Sequence, residues 1–229
     1  MNGIRICKTR AGLNSINKTG TELVIWKRSF SSSFQDWIND TDVENLPDVR
    51  ILINPFELRP ALEPLLELCG LKVDNIRDQL FNDIKGLVNL FAQVTQSNAV
   101  DVRLQRITNN ACWKFHRDVV KTRLVTTYRG PSTEWVQHAH AEQAILEQLN
   151  YRGPLEHLGD GDVAIFKGSR THANRGIVHR SPSIAGTGTT RLLLCLNQQT
   201  DTSPEPWVKV GKNLSHPKVM KSNEIALTD

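Results

Sequence analysis

The sequence predicts an α+β protein in which a mainly helical first part supports a β-rich second part. Up to about residue 96, apolar residues recur at steps of three and four, which is the period of a helix. From about residue 100 to 198, short apolar runs are separated by turn signals, as in strands of a sheet. This combination favours helices packed on a β-sandwich or barrel. We therefore expect a helical support at 1–98, a β-core at 99–198 and a polar tail at 199–229.

Two helices are predicted in the first part. Leucines at helical spacing predict a helix at 57–69, and Gly70 follows where a glycine commonly ends a helix. Asp74 is a suitable N-cap for a second helix at 75–96, which has the strongest amphipathic pattern in the sequence. We expect this helix to cover one sheet or to form the contact of a homodimer. Two short β-prone runs precede these helices, at 22–26 and 50–53.

The second part is expected to contain mostly strands. Alternating apolar and polar residues, or short apolar runs bounded by glycine and proline, indicate them. The predicted strands lie at 100–107, 123–128, 133–136, 163–166, 177–179 and 191–196. A further segment, 112–118, has the character of a strand end, and one helix is expected at 140–149.

Composition argues against several classes of protein. The net charge is only +4 and the basic residues are dispersed, which makes a nucleic-acid surface an unfavourable interpretation. The four cysteines lie far apart without a Cys-x-x-Cys pair, which indicates a reducing compartment rather than a disulfide framework. No apolar stretch approaches the roughly 20 residues of a membrane span, and the first residues lack the apolar run of a signal peptide. We therefore expect a soluble cytoplasmic protein without a membrane partner.

The segment 112–118 contains the first candidate metal ligands. His116 and Asp118 are two residues apart, so on a strand their side chains point to one face and can reach one ion. His179, in a later predicted strand, is a candidate third ligand. Two histidines and one carboxylate form a facial set that leaves positions on Fe(II) open for O₂ and a co-substrate. Arg191 begins the last predicted strand, where its guanidinium could bind a carboxylate through two parallel hydrogen bonds.

These residues also have purely structural interpretations. The carboxylate of the His-x-Asp pair could instead form a local ion pair with Arg117 or Lys121. His179 could be a hydrogen-bonded core histidine, and Arg191 could be a surface arginine at the start of a strand.

Other polar residues of the β-rich part are also candidates for the site. His138 and His140 have the His-x-His spacing that some cupins use, although they precede a predicted helix. His172 could line the entrance of the site. Tyr128, near the presumed mouth of the barrel, could donate a hydrogen bond to a co-substrate carboxylate.

The order of motifs over about residues 110–197 resembles that of the Fe(II)- and 2-oxoglutarate-dependent oxygenase superfamily. The shared order is His-x-Asp, a Gly-Asp-x-x-x-Phe strand, a later histidine and an arginine on the last strand. This resemblance implies a double-stranded β-helix, also called a jelly roll or cupin-like fold. It further implies that His116, Asp118 and His179 bind Fe(II) and that Arg191 binds the distal carboxylate of 2-oxoglutarate.

Four longer motifs are similar to those of a bacterial family known as domain of unknown function 1826. They are Phe-His-x-Asp, Thr-Tyr-Arg-Gly-Pro-x-Thr-Glu-Trp, Gly-Asp-Val-Ala-x-x-Lys-Gly and Val-His-Arg-Ser-Pro. Members of this family are often encoded near metal-homeostasis genes, which implies a zinc or iron context.

Three functions are consistent with these patterns. The first is an Fe(II)/2-oxoglutarate-dependent dioxygenase that hydroxylates a substrate, either a small molecule or a macromolecule, that the sequence does not name. The second is a non-catalytic metal-binding protein of the same fold, linked to zinc or iron homeostasis. The third is a cupin-like isomerase or binding module that uses His138 and His140 as ligands.

Overall fold

The computed structural model describes residues 3–170 and 176–209, which form an α+β fold. These residues contain ten strands and four α-helices. The strands are β1 (Ile4–Cys7), β2 (Leu23–Trp26), β3 (Val49–Ile53), β4 (Val100–Ile107), β5 (Thr122–Arg129), β6 (Glu134–Trp135), β7 (Glu156–His157), β8 (Val163–Lys167), β9 (His179–Arg180) and β10 (Arg191–Gln198). The α-helices are α1 (Ser32–Asp40), α2 (Leu58–Leu68), α3 (Asn75–Thr95) and α4 (Ala141–Glu147).

The strands form two sheets. The main sheet has seven strands in the order β1-β2-β8-β5-β10-β4-β3, and the small sheet has three in the order β7-β6-β9. The pair β1–β2 is parallel, and the other pairs of these strands are antiparallel. The longest register joins β10 to β4 from Arg191↔Ile107 to Gln198↔Val100. This largely antiparallel arrangement confirms the expected α+β class.

The predicted helices of the first part are confirmed. The helix expected at 75–96 is α3, and the one expected at 57–69 is α2. The carboxylate of Asp74 accepts hydrogen bonds from the first backbone N–H groups of α3, so it is the expected N-cap. The helix expected at 140–149 is shorter, because α4 ends at Glu147 and a 3₁₀ turn follows.

The main sheet separates two apolar layers. One layer lies between this sheet and the helices α1, α2 and α3, and the other lies between the two sheets. Successive residues of β10 alternate between the layers: Leu194 and Leu196 face the helices, whereas Cys195 faces the small sheet. Each fully buried leucine contributes roughly 1.5–3 kcal/mol relative to an exposed one. The alternation therefore fixes which side chains of the main sheet can face the candidate site.

The main sheet combines strands from both parts of the chain. In it, β2 pairs with β8 and β3 pairs with β4, so strands on both sides of residue 98 share one sheet. The start of the polar tail lies alongside β3. There the backbone N–H of Trp207 donates a hydrogen bond to the carbonyl of Leu52 at 2.8 Å. Residues 210–229 lie outside the described residues. The proposed division at 98 and 198 stays a prediction.

None of the helices in the described ranges is both long enough and apolar enough to cross a membrane.

Candidate metal centre

Two segments that are distant in sequence meet beside the small sheet. His116 forms an isolated antiparallel bridge with His179 of β9, and the two residues exchange backbone hydrogen bonds with N–O distances of 3.1 Å. The preceding residues, Phe115 and Val178, are buried in one apolar cluster together with residues of α4. Directly paired residues present their side chains on the same side of a bridge. The backbone therefore brings the two imidazoles together.

The segment 112–118 is not the regular strand end that its sequence suggested. His116 is its single paired residue, and Cys112 has a left-handed φ of 54°. The strand argument for placing His116 and Asp118 on one face is therefore wrong in its premise. The two side chains nevertheless converge, because the bridge to His179 orients the first of them.

The three expected ligands form a compact cluster. One ligand atom from each of His116, Asp118 and His179 lies within 4.8 Å of the others. Nε2 of His179 lies 3.5 Å from Oδ2 of Asp118, and Nε2 of His116 lies 3.7 Å from Oδ1. Among the residues that the structure describes, no other group of three such side chains is close enough to hold a metal ion.

Backbone carbonyls orient both imidazoles. Nδ1 of His116 donates to the carbonyl of Lys114 at 2.8 Å, and Nδ1 of His179 donates to the carbonyl of Ile177 at 3.0 Å. Because a carbonyl can only accept, the proton of each neutral ring is on Nδ1 and the lone pair is on Nε2. This is the tautomer in which metal-binding histidines are commonly held.

Asp118 is a buried carboxylate with one oxygen unsatisfied. The residue is 5% exposed, and its Oδ1 accepts a hydrogen bond from Nη1 of Arg123. Its Oδ2 has no hydrogen-bond partner among the described residues. Buried polar atoms nearly always have a partner, and the unsatisfied oxygen faces the lone pair of His179. Two electron-rich atoms in this arrangement fit a cation bound between them.

His179 is neutral at physiological pH. Burial, opposed by the nearby charge of Asp118, lowers the pKa of its imidazole to about 4. The contact between His179 and Asp118 is therefore not an ion pair near neutral pH. The ring also stacks on Phe166 of β8, with a centroid distance of 4.8 Å. Burial and stacking hold a neutral imidazole in place, which is the state that binds a metal ion.

The donor set fits Fe(II) or Zn(II). Two imidazole nitrogens and one carboxylate oxygen suit both ions, and three protein ligands leave further positions for other molecules. The side chain of His116 is 33% exposed, whereas those of Asp118 and His179 are buried. Access from solvent is therefore on the side of His116.

Arg191 is a buried cation with one free nitrogen. Its Nε donates to the carbonyl of Pro131 and its Nη1 donates to Oγ of Ser181, both at 2.7 Å. Its Nη2 is buried and has no partner among the described residues. Burial lowers the pKa of this guanidinium to about 10, so it remains charged at neutral pH. Ser181 follows His179 by two residues, which places the guanidinium beside the strand that carries a candidate ligand.

Tyr128 lies on the opposite face of the main sheet from the candidate ligands. It belongs to the layer between the sheet and the helices, and its hydroxyl donates to Oδ2 of Asp83 in α3 at 2.8 Å. Phe166, which contacts His179, belongs to the other layer. The expected role of Tyr128 in co-substrate binding is therefore corrected: this tyrosine is a core residue.

Three of the alternative residues, His138, His140 and Arg117, lie away from the cluster or have other partners. His138 and His140 form a 3₁₀ turn before α4 and are not part of the cluster. Arg117, a suggested local partner of Asp118, instead pairs with Glu142 at 2.7 Å. His172 lies outside the described residues.

Sequence reasoning missed Arg123. Arg123 is the second residue of β5, and alternation puts it on the same face as Val125, in the layer between the sheets. A charged residue at such a position is a signal that it has a buried partner. The sequence does not reveal, however, that this partner is Asp118.

The sequence matches the model of a protein family of unknown function, DUF1826, over residues 8–197. A comparison with curated proteins found no match.

The structure is similar to several solved enzymes. A Pseudomonas putida prolyl-4-hydroxylase has a TM-score of 0.41 and 10% identity, covering 83% of this chain and 94% of that one. The Kdo hydroxylase KdoO, a non-heme Fe(II) alphaketoglutarate dependent dioxygenase in complex with succinate and Fe(III), has a TM-score of 0.40 and 10% identity, with coverages of 86% and 89%. The non-heme alpha ketoglutarate dependent carbocyclase SnoK from nogalamycin biosynthesis has a TM-score of 0.34 and 6% identity, with coverages of 83% and 84%.

These three TM-scores are below 0.5, and none of the three sequences is more than 10% identical to this chain. The family match, by contrast, covers most of the sequence. The chain therefore belongs to the DUF1826 family, whose members are described as proteins of unknown function.

Proposed function

We propose that this protein is an Fe(II)- and 2-oxoglutarate-dependent oxygenase of the hydroxylase type. His116, Asp118 and His179 would hold the metal, and Arg191 would bind a carboxylate of the co-substrate. The observation that carries the proposal is the cluster of two imidazole lone pairs at a buried carboxylate, one oxygen of which has no hydrogen-bond partner among the described residues. Such a set needs a cation, and it leaves metal positions open for other ligands.

When bound, Fe(II) would supply the activation of O₂, coupled to oxidative decarboxylation of 2-oxoglutarate and hydroxylation of a substrate C–H bond. The protein supplies orientation and a largely buried site. The Nδ1 hydrogen bonds hold the two rings in the metal-binding tautomer. The low exposure of Asp118 and His179 keeps bulk water away from two of the three ligands.

Arg191 supports the choice of a co-substrate that carries a carboxylate. A buried guanidinium with an unsatisfied Nη2 is costly unless an anion approaches it. Its other two nitrogens are held by Pro131 and Ser181, so the orientation of the planar group is fixed before a ligand arrives. A carboxylate is the anion whose geometry matches this group.

We also propose that the two sheets are the halves of a double-stranded β-helix, or jelly roll. The layer between them contains Phe166 and Trp135, one from each sheet. The candidate ligands adjoin this layer, since His179 stacks on Phe166 and pairs with Trp135 across the small sheet. A ligand site in the mouth of a small barrel is a common location.

The test is anaerobic reconstitution of the purified full chain with Fe(II) and 2-oxoglutarate. We expect tight Fe(II) binding and a weak visible charge-transfer band that requires both additions. His116→Ala should abolish the band, whereas His138→Ala, at a histidine outside the cluster, should retain it. Absence of both Fe(II) binding and the band in the wild type would refute the proposal.

The second candidate is a non-catalytic metal-binding protein of the same fold, active in zinc or iron balance. The same three ligands favour it, because their donor set also suits Zn(II). The two candidates differ in Arg191, which a metal carrier does not need. The non-catalytic candidate would be favoured if the protein binds Zn(II) more tightly than Fe(II) and does not bind 2-oxoglutarate. Arg191→Ala should then leave the affinity for both metals unchanged.

A further inference from the structure

We propose that Arg123 is a positioning residue that restricts Asp118 to binding the metal through a single carboxylate oxygen. Nη1 of Arg123 donates to Oδ1 of Asp118, which leaves Oδ2 as the oxygen without a hydrogen-bond partner. That free oxygen lies 3.5 Å from Nε2 of His179. This inference rests on the proposed metal site and deepens it.

Arg123 is itself fixed by the main sheet. Its Nε donates to Oδ1 of Asn197 at 2.8 Å, and the two residues face each other in the register of β5 with β10. Asn197 is 2% exposed, so its side chain cannot turn away into solvent. A guanidinium is planar and rigid, so holding Nε also sets the direction in which Nη1 points. The orientation of Asp118 is thus determined by two central strands.

The segment that carries Asp118 needs this external support. Asp118 is followed by Val119, which is 71% exposed, and lies outside the regular strands. The backbone carbonyl of Asp118 accepts a hydrogen bond from the N–H of Ser169 at 2.8 Å. This bond anchors the main chain but not the carboxylate. Rotation of an unsupported carboxylate would offer both oxygens to the ion. With Oδ1 held by Arg123, one oxygen is offered and a metal position stays open.

The charge of Arg123 and its geometry have different consequences. A positive charge beside Asp118 by itself opposes cation binding, whereas correct positioning of the carboxylate promotes it. Arg123→Lys retains the charge but cannot span Asp118 and Asn197 with a planar fork. It therefore isolates the positioning effect. Loss of a partner that orients a metal ligand typically weakens metal binding by roughly 10–100-fold.

The experiment uses Co(II), whose visible spectrum reports the number and arrangement of its ligands. Titration of the full chain with Co(II) should give at least about tenfold weaker binding and altered band intensities in Arg123→Lys. The matched control is Arg103→Lys, in β4 of the same sheet, where the arginine lies 3.5 Å from Asp101 and has a similar exposure. This control should bind Co(II) as the wild type does.

The outcomes separate the inference from the proposed function. Wild-type affinity and spectrum in Arg123→Lys would overturn the inference and leave the metal site standing. No Co(II) or Fe(II) binding by the wild type would overturn both. If Arg123→Lys does not fold, Asn197→Ala replaces it, because this change removes the support of Nε and keeps Arg123 in place. We expect weaker binding and a changed spectrum there as well, and wild-type behaviour would overturn the inference.

Discussion

Replacing Tyr128 by phenylalanine should lower the stability of the protein without changing its binding of 2-oxoglutarate, because Tyr128 packs in the layer between the main sheet and the helices. Its ring stacks on Phe30 at a centroid distance of 5.5 Å, and its hydroxyl donates to Asp83. Burial, together with the charge of Asp83, raises the pKa of the phenol, so it remains a neutral donor. Tyr128→Phe should retain the stacking and lose this one hydrogen bond.

The expected cost follows from what remains in the mutant. A hydrogen bond to a charged group contributes roughly 1.5–3 kcal/mol. Asp83 keeps two hydrogen bonds from Arg28, at 2.5 and 2.9 Å, so its charge stays compensated. We therefore expect Tyr128→Phe to lower the free energy of unfolding by about 1–2 kcal/mol. In a protein of this size the melting temperature should fall by roughly 2–8 °C.

The assay is urea unfolding followed by tryptophan fluorescence, with 2-oxoglutarate binding to the metal-loaded protein measured in parallel. Asp83→Asn provides a comparison, because it removes the charge that Arg28 faces and should cost roughly 3–5 kcal/mol. Binding of 2-oxoglutarate should be unaffected in Tyr128→Phe. Unchanged stability together with weaker 2-oxoglutarate binding would show that Tyr128 belongs to the site and is not a core residue.

Three further predictions concern the metal, one glycine and one buried acid. Co(II) at 100 times its Kd should stabilise the wild type by about 2.7 kcal/mol in thermal unfolding, and His179→Ala should lose this effect. Gly168→Ala should destabilise the protein by about 2–4 kcal/mol in urea, because a Cβ there would lie 2.7 Å from the carbonyl oxygen of Asp118. Burial acts to raise the pKa of Asp101, but hydrogen bonds from Arg50 and Ser203, together with the charges of Arg103 and Arg50, outweigh it and the pKa is lowered. Its ionised form therefore stabilises the fold above about pH 4, and this contribution should be lost on acidification in the wild type but not in Asp101→Asn.

Each of these predictions has a result that contradicts it. Equal stabilisation of His179→Ala by Co(II) would mean that the ion binds elsewhere. A Gly168→Ala variant as stable as the wild type would mean that the backbone around Asp118 moves to accommodate the Cβ without loss of stability. Identical loss of stability between about pH 7 and pH 3 in the wild type and Asp101→Asn would remove Asp101 from the acid response.

The parts of the fold that depend on local signals were predictable. The helix α3 follows from its apolar period and from Asp74, because capping and amphipathic packing involve residues a few positions apart. Pairing of β2 with β8 was not predictable in this way, since its partners are more than a hundred residues apart and no short pattern encodes the match. The β-prone runs at 22–26 and 50–53 are confirmed as β2 and β3, but β1 and the joining of these three strands to the main sheet were not predicted.

In the candidate site, the types of the ligand residues were predictable from the sequence, whereas the faces of the strands that carry the supporting residues were not. His116, Asp118 and His179 were selected because their side chains are metal ligands, and the structure brings them together. The roles of Arg123 and Tyr128, by contrast, depend on which face of β5 each side chain occupies. Alternation separates them to opposite faces, but the sequence alone does not reveal which face is turned to the small sheet.

The balance of charge at the centre links Arg123 to the choice of co-substrate. The protein contributes one negative charge from Asp118, one positive charge from Arg123 and a neutral imidazole at His179. The charges of these side chains sum to zero, so they would not neutralise the charge of a divalent ion in this partly buried site. Arg191 adds a further positive charge without an anionic hydrogen-bond partner among the described residues. Coulomb interactions are strong where water is scarce, so such a site favours a ligand that carries two negative charges, as 2-oxoglutarate does, over a neutral one.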